Sequence, residues 1–249
     1  MSEPELILQN DKILVFQKQL GQYENLNHLV VCRSTNQSCV IDPFDGSYWL
    51  NFCVKNNFIL SEVWLTHSHY DHIKGVDKLY DELRDKLIVR CHEFEQRRGY
   101  DENYVNWWKH PEFTKVDCFI GEAKFSAHCT PGHTPGHITF IGCGAILTGD
   151  CLFLGSCGRT DLYGGNPNKQ RQSLQYLAEV FKTCSNQDLV LPGHRYPLED
   201  DTNPMYLRFD KFISTNLAMN AINDNEKWTN LPFLSFDDDL ARKAKGKQN

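Results

Sequence analysis

The stretch Thr66-His67-Ser68-His69-Tyr70-Asp71-His72 packs four potential metal ligands directly behind the apolar run Val63-Trp64-Leu65. A strand must end where this loop begins, and the loop must meet partners from elsewhere in the chain. Histidine offers a neutral lone pair at physiological pH and aspartate a hard anionic oxygen, a set suited to a borderline divalent cation. Side chains alternate along extended backbone, so His67 and His69 point one way while Asp71 and His72 turn toward a second point. One short loop therefore reads as serving two metals. The plain alternative is a solvated loop with chance histidines, and the H-x-H-x-D-H spacing argues against it.

The 249 residues suffice for one large domain with a small appendage. No segment approaches the roughly 20 apolar residues of a membrane span, which predicts a chain without a membrane partner. The start, Met1-Ser2-Glu3-Pro4-Glu5, lacks the basic and apolar regions of a secretory signal, so the expected location is cytoplasmic. Ten cysteines form no C-x-x-C pair and lie mostly inside apolar runs. They read as buried free thiols of a reducing compartment, Cys151 included. A net charge of −6 argues against a nucleic-acid partner.

In chain order, Leu6-Ile7-Leu8, Ile13-Leu14-Val15-Phe16, Leu29-Val30-Val31-Cys32 and Cys39-Val40-Ile41 predict an antiparallel meander ending at Asp42-Pro43. Ser47 is expected to cap a helix to about Asn56, with Tyr48, Leu50, Phe52 and Cys53 inward. A strand over 59–66 delivers the ligand loop at its C-terminal end, where α/β sheets place their sites. Helical spacing follows over 75–84 and a short strand at Leu87-Ile88-Val89. The segment from His92 to His110 predicts helix plus loop, with Trp107-Trp108 covering the core. A second β layer is expected over 116–120, 123–128, 137–141 and 145–148.

Three further apolar strands end in ligand-type residues. His133 sits in the glycine-flanked turn Pro131-Gly132-His133-Thr134-Pro135-Gly136, Asp150 follows Thr148-Gly149, and His194 follows Leu191-Pro192-Gly193. Together they complete the ligand count of two sites. His137, at the start of a strand, is expected to make an orienting hydrogen bond instead.

His67-x-His69-x-Asp71-His72, His133, Asp150 and His194 resemble, in order and identity, the signature of the metallo-β-lactamase superfamily. The resemblance covers roughly residues 10 to 200. It implies an α/β fold, an αββα sandwich of two mixed sheets with helices outside. It also implies that His67, His69 and His133 hold one metal, that Asp71, His72 and His194 hold the other, and that Asp150 bridges them. The expected division is a catalytic domain over 1–200 and a helical extension over 201–249, packing on the site edge.

Within the superfamily the chain is similar to the glyoxalase II group, the hydroxyacylglutathione hydrolases. Thr148-Gly149-Asp150-Cys151-Leu152-Phe153, Cys157-Gly158-Arg159 and Gly193-His194-Arg195-Tyr196 carry this likeness, as do the helix-like 203–223 and Leu231-Pro232-Phe233-Leu234. It implies glutathione contacts from Arg159 and Tyr196. Two departures stand out. Ser235-Phe236-Asp237-Asp238-Asp239 replaces the group's basic residues, with Arg242 and Lys243 the nearest substitutes, and the loop 158–165 is longer. The resemblance implies a hydrolase of thioesters, S-2-hydroxyacylglutathione to glutathione and a 2-hydroxy acid. Attack would come from a metal-bridging hydroxide, with Asp71 and Asp150 catalytic. The implied cofactors are two divalent ions, zinc first and iron or manganese as alternatives, and the implied partner is a small glutathione-derived thioester. The alternative is a mononuclear iron persulfide dioxygenase using His67, His133 and Asp150. That group usually carries Cys where this chain has His137.

Overall fold

Alternation along the early strands sends side chains into two different cores. In β2 (Ile13–Leu20) and β3 (Asn25–Cys32), Ile13, Val15, Val30 and Cys32 enter one core, while Leu29 and Val31 enter another, with Leu14 and Phe16 packed against it. A strand buried on both faces needs a covering layer on each side. The computed structural model describes residues 2–231 and supplies those layers.

The first sheet runs in sequence order through β1 (Glu5–Gln9), β2, β3, β4 (Gln37–Ile41), β5 (Ile59–Trp64), β6 (Ile88–His92) and β7 (Val105–Trp108). Its pairing is antiparallel as far as β4 and parallel beyond. The second sheet comprises β8 (Lys115–Ile120), β9 (Ala123–Cys129), β10 (Ile138–Gly142), β11 (Ala145–Gly149), β12 (Leu189–Pro192) and β13 (Leu207–Arg208). Its order is β13-β12-β11-β10-β9-β8, with only β11 and β12 parallel.

The two sheets enclose a core centred on Trp64, whose ring lies 5.0, 5.8 and 6.1 Å from those of Phe140, Phe125 and Trp108. Burying a side chain of this size stabilises by roughly 1.5–3 kcal/mol, and each aromatic pair adds about 0.5–1.5 kcal/mol. Helix α1 (Gly46–Lys55), the single turn α2 (Tyr70–Ile73) and α3 (Val76–Leu83) lie beyond the first sheet, where Trp49, Phe52 and Leu79 pack on Leu29 and Val40. On the other side, α4 (Pro167–Phe181), α5 (Phe209–Thr215), α6 (Leu217–Ala221) and α7 (Asn225–Thr229) cover Ile146 and Val190 with Leu174, Leu177, Phe212 and Trp228. The architecture is the expected αββα sandwich.

Several local expectations are corrected. Asp45, not Ser47, caps α1, because its carboxylate accepts from Tyr48 N at 3.0 Å. The inward face is Trp49, Phe52 and Cys53, with Tyr48 and Leu50 only partly buried. The 92–110 segment holds a 3-10 turn, Glu93–Arg98, and then strand β7. A four-residue edge strand is too short to show a period, and its place is fixed by parallel pairing to β6. The 203–223 stretch is broken rather than continuous. Asn216 is extended, caps α6 by accepting from Met219 N, and donates to Phe153 O and Ser156 O. Of the free cysteines, eight are buried and Cys143 and Cys184 are half-buried. No helix among the described residues is long and apolar enough to cross a membrane.

Candidate metal centre

The ends of β4, β5, β9, β11 and β12 converge at one edge of the sandwich. His67 and His69 follow β5, His72 stands on α2, His133 lies between β9 and β10, Asp150 follows β11, and His194 follows β12. With Asp71 on α2, the structure brings together all seven expected metal ligands. His69 Nδ1 lies 2.9 Å from both His67 Nε2 and His133 Nε2. In a second group, His72 Nε2 lies 3.1 Å from His194 Nε2, and Asp71 Oδ2 is 3.6 and 3.3 Å from those two atoms. Asp150 lies between the groups, with Oδ2 3.5 Å from His133 Nε2 and 3.4 Å from His194 Nε2, and Oδ1 3.5 Å from His72 Nε2.

Hydrogen bonds on the far side of each ring decide which nitrogen faces inward. His133 Nδ1 donates to Arg159 O at 2.7 Å, and His194 Nδ1 to Tyr23 O at 2.7 Å, since carbonyls only accept. His72 Nδ1 meets Asp42 Oδ2 at 2.9 Å. Thr66 Oγ1 gives its proton to Asp42 Oδ2 at 2.6 Å and so accepts from His67 Nδ1 at 2.9 Å. All four rings thereby turn an Nε2 lone pair into the site, the tautomer a ligating imidazole needs. Asp42 itself groups with His67 and His72, but its oxygens are taken by Thr66 N, Thr66 Oγ1 and His72 Nδ1. It orients ligands instead of completing a third set.

This arrangement fits divalent cations. Atoms bound at about 2.0–2.1 Å to a tetrahedral ion stand roughly 3.3 Å from one another, close to the 2.9–3.6 Å observed. Asp150 Oδ1 is buried and has no hydrogen-bond partner among the described residues. Burial opposes a proton on His72, yet the carboxylates of Asp150, Asp71 and Asp42 outweigh it and hold its pKa at about 9, so a cation at Nε2 would take the place of a proton in the same negative field. Burial also opposes ionisation of Asp150, and His194, His72 and His133 keep its carboxyl well below the ordinary range. His67 is pushed well below its ordinary value by burial and by the neighbouring imidazoles. The His/Asp clusters are suitable for holding metals.

Gly193 lets β12 approach this closely, since a Cβ there would run into Asp150 Oδ1 and the His72 ring. His137 Nε2 accepts from the amides of Asp150 and Cys151, both at 3.1 Å, and Nδ1 faces Thr130 Oγ1. It fixes the backbone at Asp150. Tyr196 stacks on His194 with centroids 5.8 Å apart, and Phe153 stands edge-on to both rings. Phe153 and Tyr196 also line a cavity of about 200 Å³ with Gly155, Leu198 and Leu217. Arg159 is engaged by Asp161 through two bonds of 2.8 and 2.9 Å. Pro232, Phe233, Leu234, Ser235, Phe236, Asp237, Asp238, Asp239, Arg242 and Lys243 lie outside the described residues.

Two residues here were missed in the sequence. Asp42 ends an apolar strand just as Asp150 does, and that pattern could have found it. Asn25, whose Nδ2 donates to Asp71 Oδ2 at 2.7 Å, carries no local signal.

An αββα sandwich with paired His/Asp clusters at the strand ends defines a metallo-hydrolase-like class, and a family profile agrees. The metallo-beta-lactamase superfamily profile matches residues 56–194, and the chain belongs to that superfamily. Among curated relatives it is 36% identical over 144 residues to a hydroxyacylglutathione hydrolase of Shewanella baltica (strain OS223), covering 58% of this chain and 52% of that protein. The chain thus spans about half the length of the curated relatives it matches. Among solved structures it is similar to ETHE1 from Myxococcus xanthus, with a TM-score of 0.67 and 22% identity over 93% of this chain and 96% of that one. A metallo-beta-lactamase from Staphylococcus aureus subsp. aureus COL gives a TM-score of 0.74 and 19% identity, over 95% and 72%. TTHA1623 in a di-iron-bound form gives 0.61 and 25% identity, over 81% and 98%.

Proposed function

We propose that the chain is a dinuclear metal-dependent thioester hydrolase acting on S-2-hydroxyacylglutathione. The observation that carries this reading is Asp150, whose carboxylate reaches His133 of one ligand group and His72 and His194 of the other. His67, His69 and His133 would hold one ion, and Asp71, His72 and His194 the second. Such ions, when bound, activate water as a nucleophile near neutral pH and stabilise negative charge on a carbonyl oxygen. Asp71, held by Asn25, orients the attacking water. Asp150 fixes the spacing of the two groups, and His137 fixes Asp150. Tyr196 and Phe153 present an aromatic wall for the substrate beside His194, with Arg159 on the opposite loop. The thiolate is a good leaving group, so no strong acid is required. The identity to a hydroxyacylglutathione hydrolase supports the choice of thioester.

The test is to add S-lactoylglutathione to metal-loaded protein. The thioester absorbance is expected to fall while free thiol appears in equal amount. Oxygen uptake with glutathione persulfide, and no thioester cleavage, would instead establish the dioxygenase reading.

A further inference from the structure

Strands β5 and β6 run parallel, with Val63 opposite Val89 and Trp64 opposite Arg90, so their C-terminal ends emerge side by side. β5 continues into the loop carrying His67 and His69, and β6 into the 3-10 turn Glu93–Arg98. His92 pins the start of that turn. Its Nδ1 accepts from Phe94 N at 3.2 Å, so Nε2 carries the proton and donates to His110 O at 2.9 Å.

Glu95, on this turn, is fully buried. Its Oε1 accepts from Gly136 N at 2.8 Å, and its Oε2 accepts from Ser68 N at 2.9 Å and from the Ser68 hydroxyl. Ser68 stands between His67 and His69, and Gly136 ends the turn that presents His133. One carboxylate therefore spans both segments that carry His67, His69 and His133. Arg98 Nε, 3.7 Å from Oε2, supplies a countercharge. Hydrogen bonds to an ionised acceptor are about twice as strong as neutral ones, so the tie is firm. Gly136 lets the turn come this near, because a Cβ there would stand 2.8 Å from Glu95 N.

The two ligand groups are held by different partners. Asp42 serves both, through His67 by way of Thr66 and through His72 directly. Asn25 holds Asp71, and the Tyr23 carbonyl holds His194. His69 has no such bond. Its Nδ1 faces His67 and His133, and among the described residues its Nε2 has no hydrogen-bond partner. The ring takes its place from the backbone at Ser68, which Glu95 holds twice. Among the described residues no hydrogen bond joins Glu95 to Asp71, His72 or His194.

We infer that Glu95 is a positioning residue for the first ligand group alone, setting the affinity of His67, His69 and His133 for a cation while leaving the second group untouched. The inference rests on the dinuclear reading above and is independent of the substrate. Without the carboxylate, three buried donors lose their acceptor, and the loop and the turn are no longer held together.

Full-length protein loaded with Co(II), whose visible absorbance reports its ligands, is titrated with a competing chelator. Wild type is expected to release two ions in two steps. Glu95→Gln keeps the length but replaces one acceptor oxygen with a donor, and Glu95→Asp keeps the charge but is too short to span both segments. Each is expected to weaken one step about ten- to a hundredfold and to leave the other unchanged. Two backgrounds identify the step. In His194→Ala, which spares the first group, Glu95→Gln weakens the remaining ion by the same factor; in His69→Ala, which spares the second, it changes nothing. Gly136→Ala presses on Glu95 from the turn side and is expected to weaken the same step, which keeps the test in force if the Glu95 variants do not fold. Affinities equal to wild type throughout would overturn the inference, as would equal weakening in both backgrounds, the mark of a general structural role. Should wild type hold a single ion, the dinuclear reading fails; weakening of that one step by Glu95→Gln then supports the inference, and no change overturns it.

Discussion

In Asp150→Asn, kcat/KM for thioester cleavage is expected to fall by about a thousandfold or more, with bound metal dropping from about two ions per chain to about one or fewer. The asparagine keeps the shape and removes the charge. Asp150 lies beside residues of both groups, and Gly193 and Gly158 bring their backbone so close that a Cβ at either would overlap Asp150. Without this carboxylate the two groups lose their shared anchor and the negative charge that favours cations there. Several kcal/mol of transition-state stabilisation depend on such cations, and each 1.36 kcal/mol is about tenfold in rate. Steady-state kinetics with S-lactoylglutathione, paired with metal analysis, provide the check. A variant with more than about a tenth of wild-type activity and full metal content would contradict the assigned role.

Asp42→Ala is expected to lose about 3–5 kcal/mol of stability and to weaken metal binding by roughly ten- to a hundredfold. Asp42 is 4% exposed and receives Thr66 N, Thr66 Oγ1 and His72 Nδ1. Removing it strands three buried donors and releases the tautomers of His67 and His72 together. Urea unfolding of the metal-free protein measures the first effect and competition with a chelator the second. Stability and affinity both equal to wild type would show that Asp42 orients nothing.

The candidate ligands were legible because each is marked locally. His67, His69, Asp71 and His72 are dense within one loop, and His133, Asp150 and His194 each close an apolar strand or a glycine turn. Of the parts that support them, Asp42 carries the same strand-end mark but not the identity of its partners, and Asn25 and Glu95 carry no mark, for a physical reason. Asp42 acts on His72 across 30 residues of sequence, and Glu95 acts on Ser68 and Gly136 across 27 and 41. Nothing in the spacing of the chain records such partnerships. Strand β7 was missed likewise, since its four residues take their conformation from pairing with β6 and not from their own pattern. The meander β1 to β4 and the helix α3 were read correctly because period-2 and helical spacing operate within a single element. The broken C-terminal helices depend on Asn216, whose side chain bonds to the 153–156 segment some 60 residues earlier.

The central claim, that seven side chains hold two divalent ions for thioester hydrolysis, is tested most directly by counting metals per chain in active wild-type protein. The expected result is about two ions per chain, with hydrolysis lost on chelation and regained in proportion to the second ion restored. One iron per chain with full activity, or hydrolysis undiminished after complete metal removal, would contradict it.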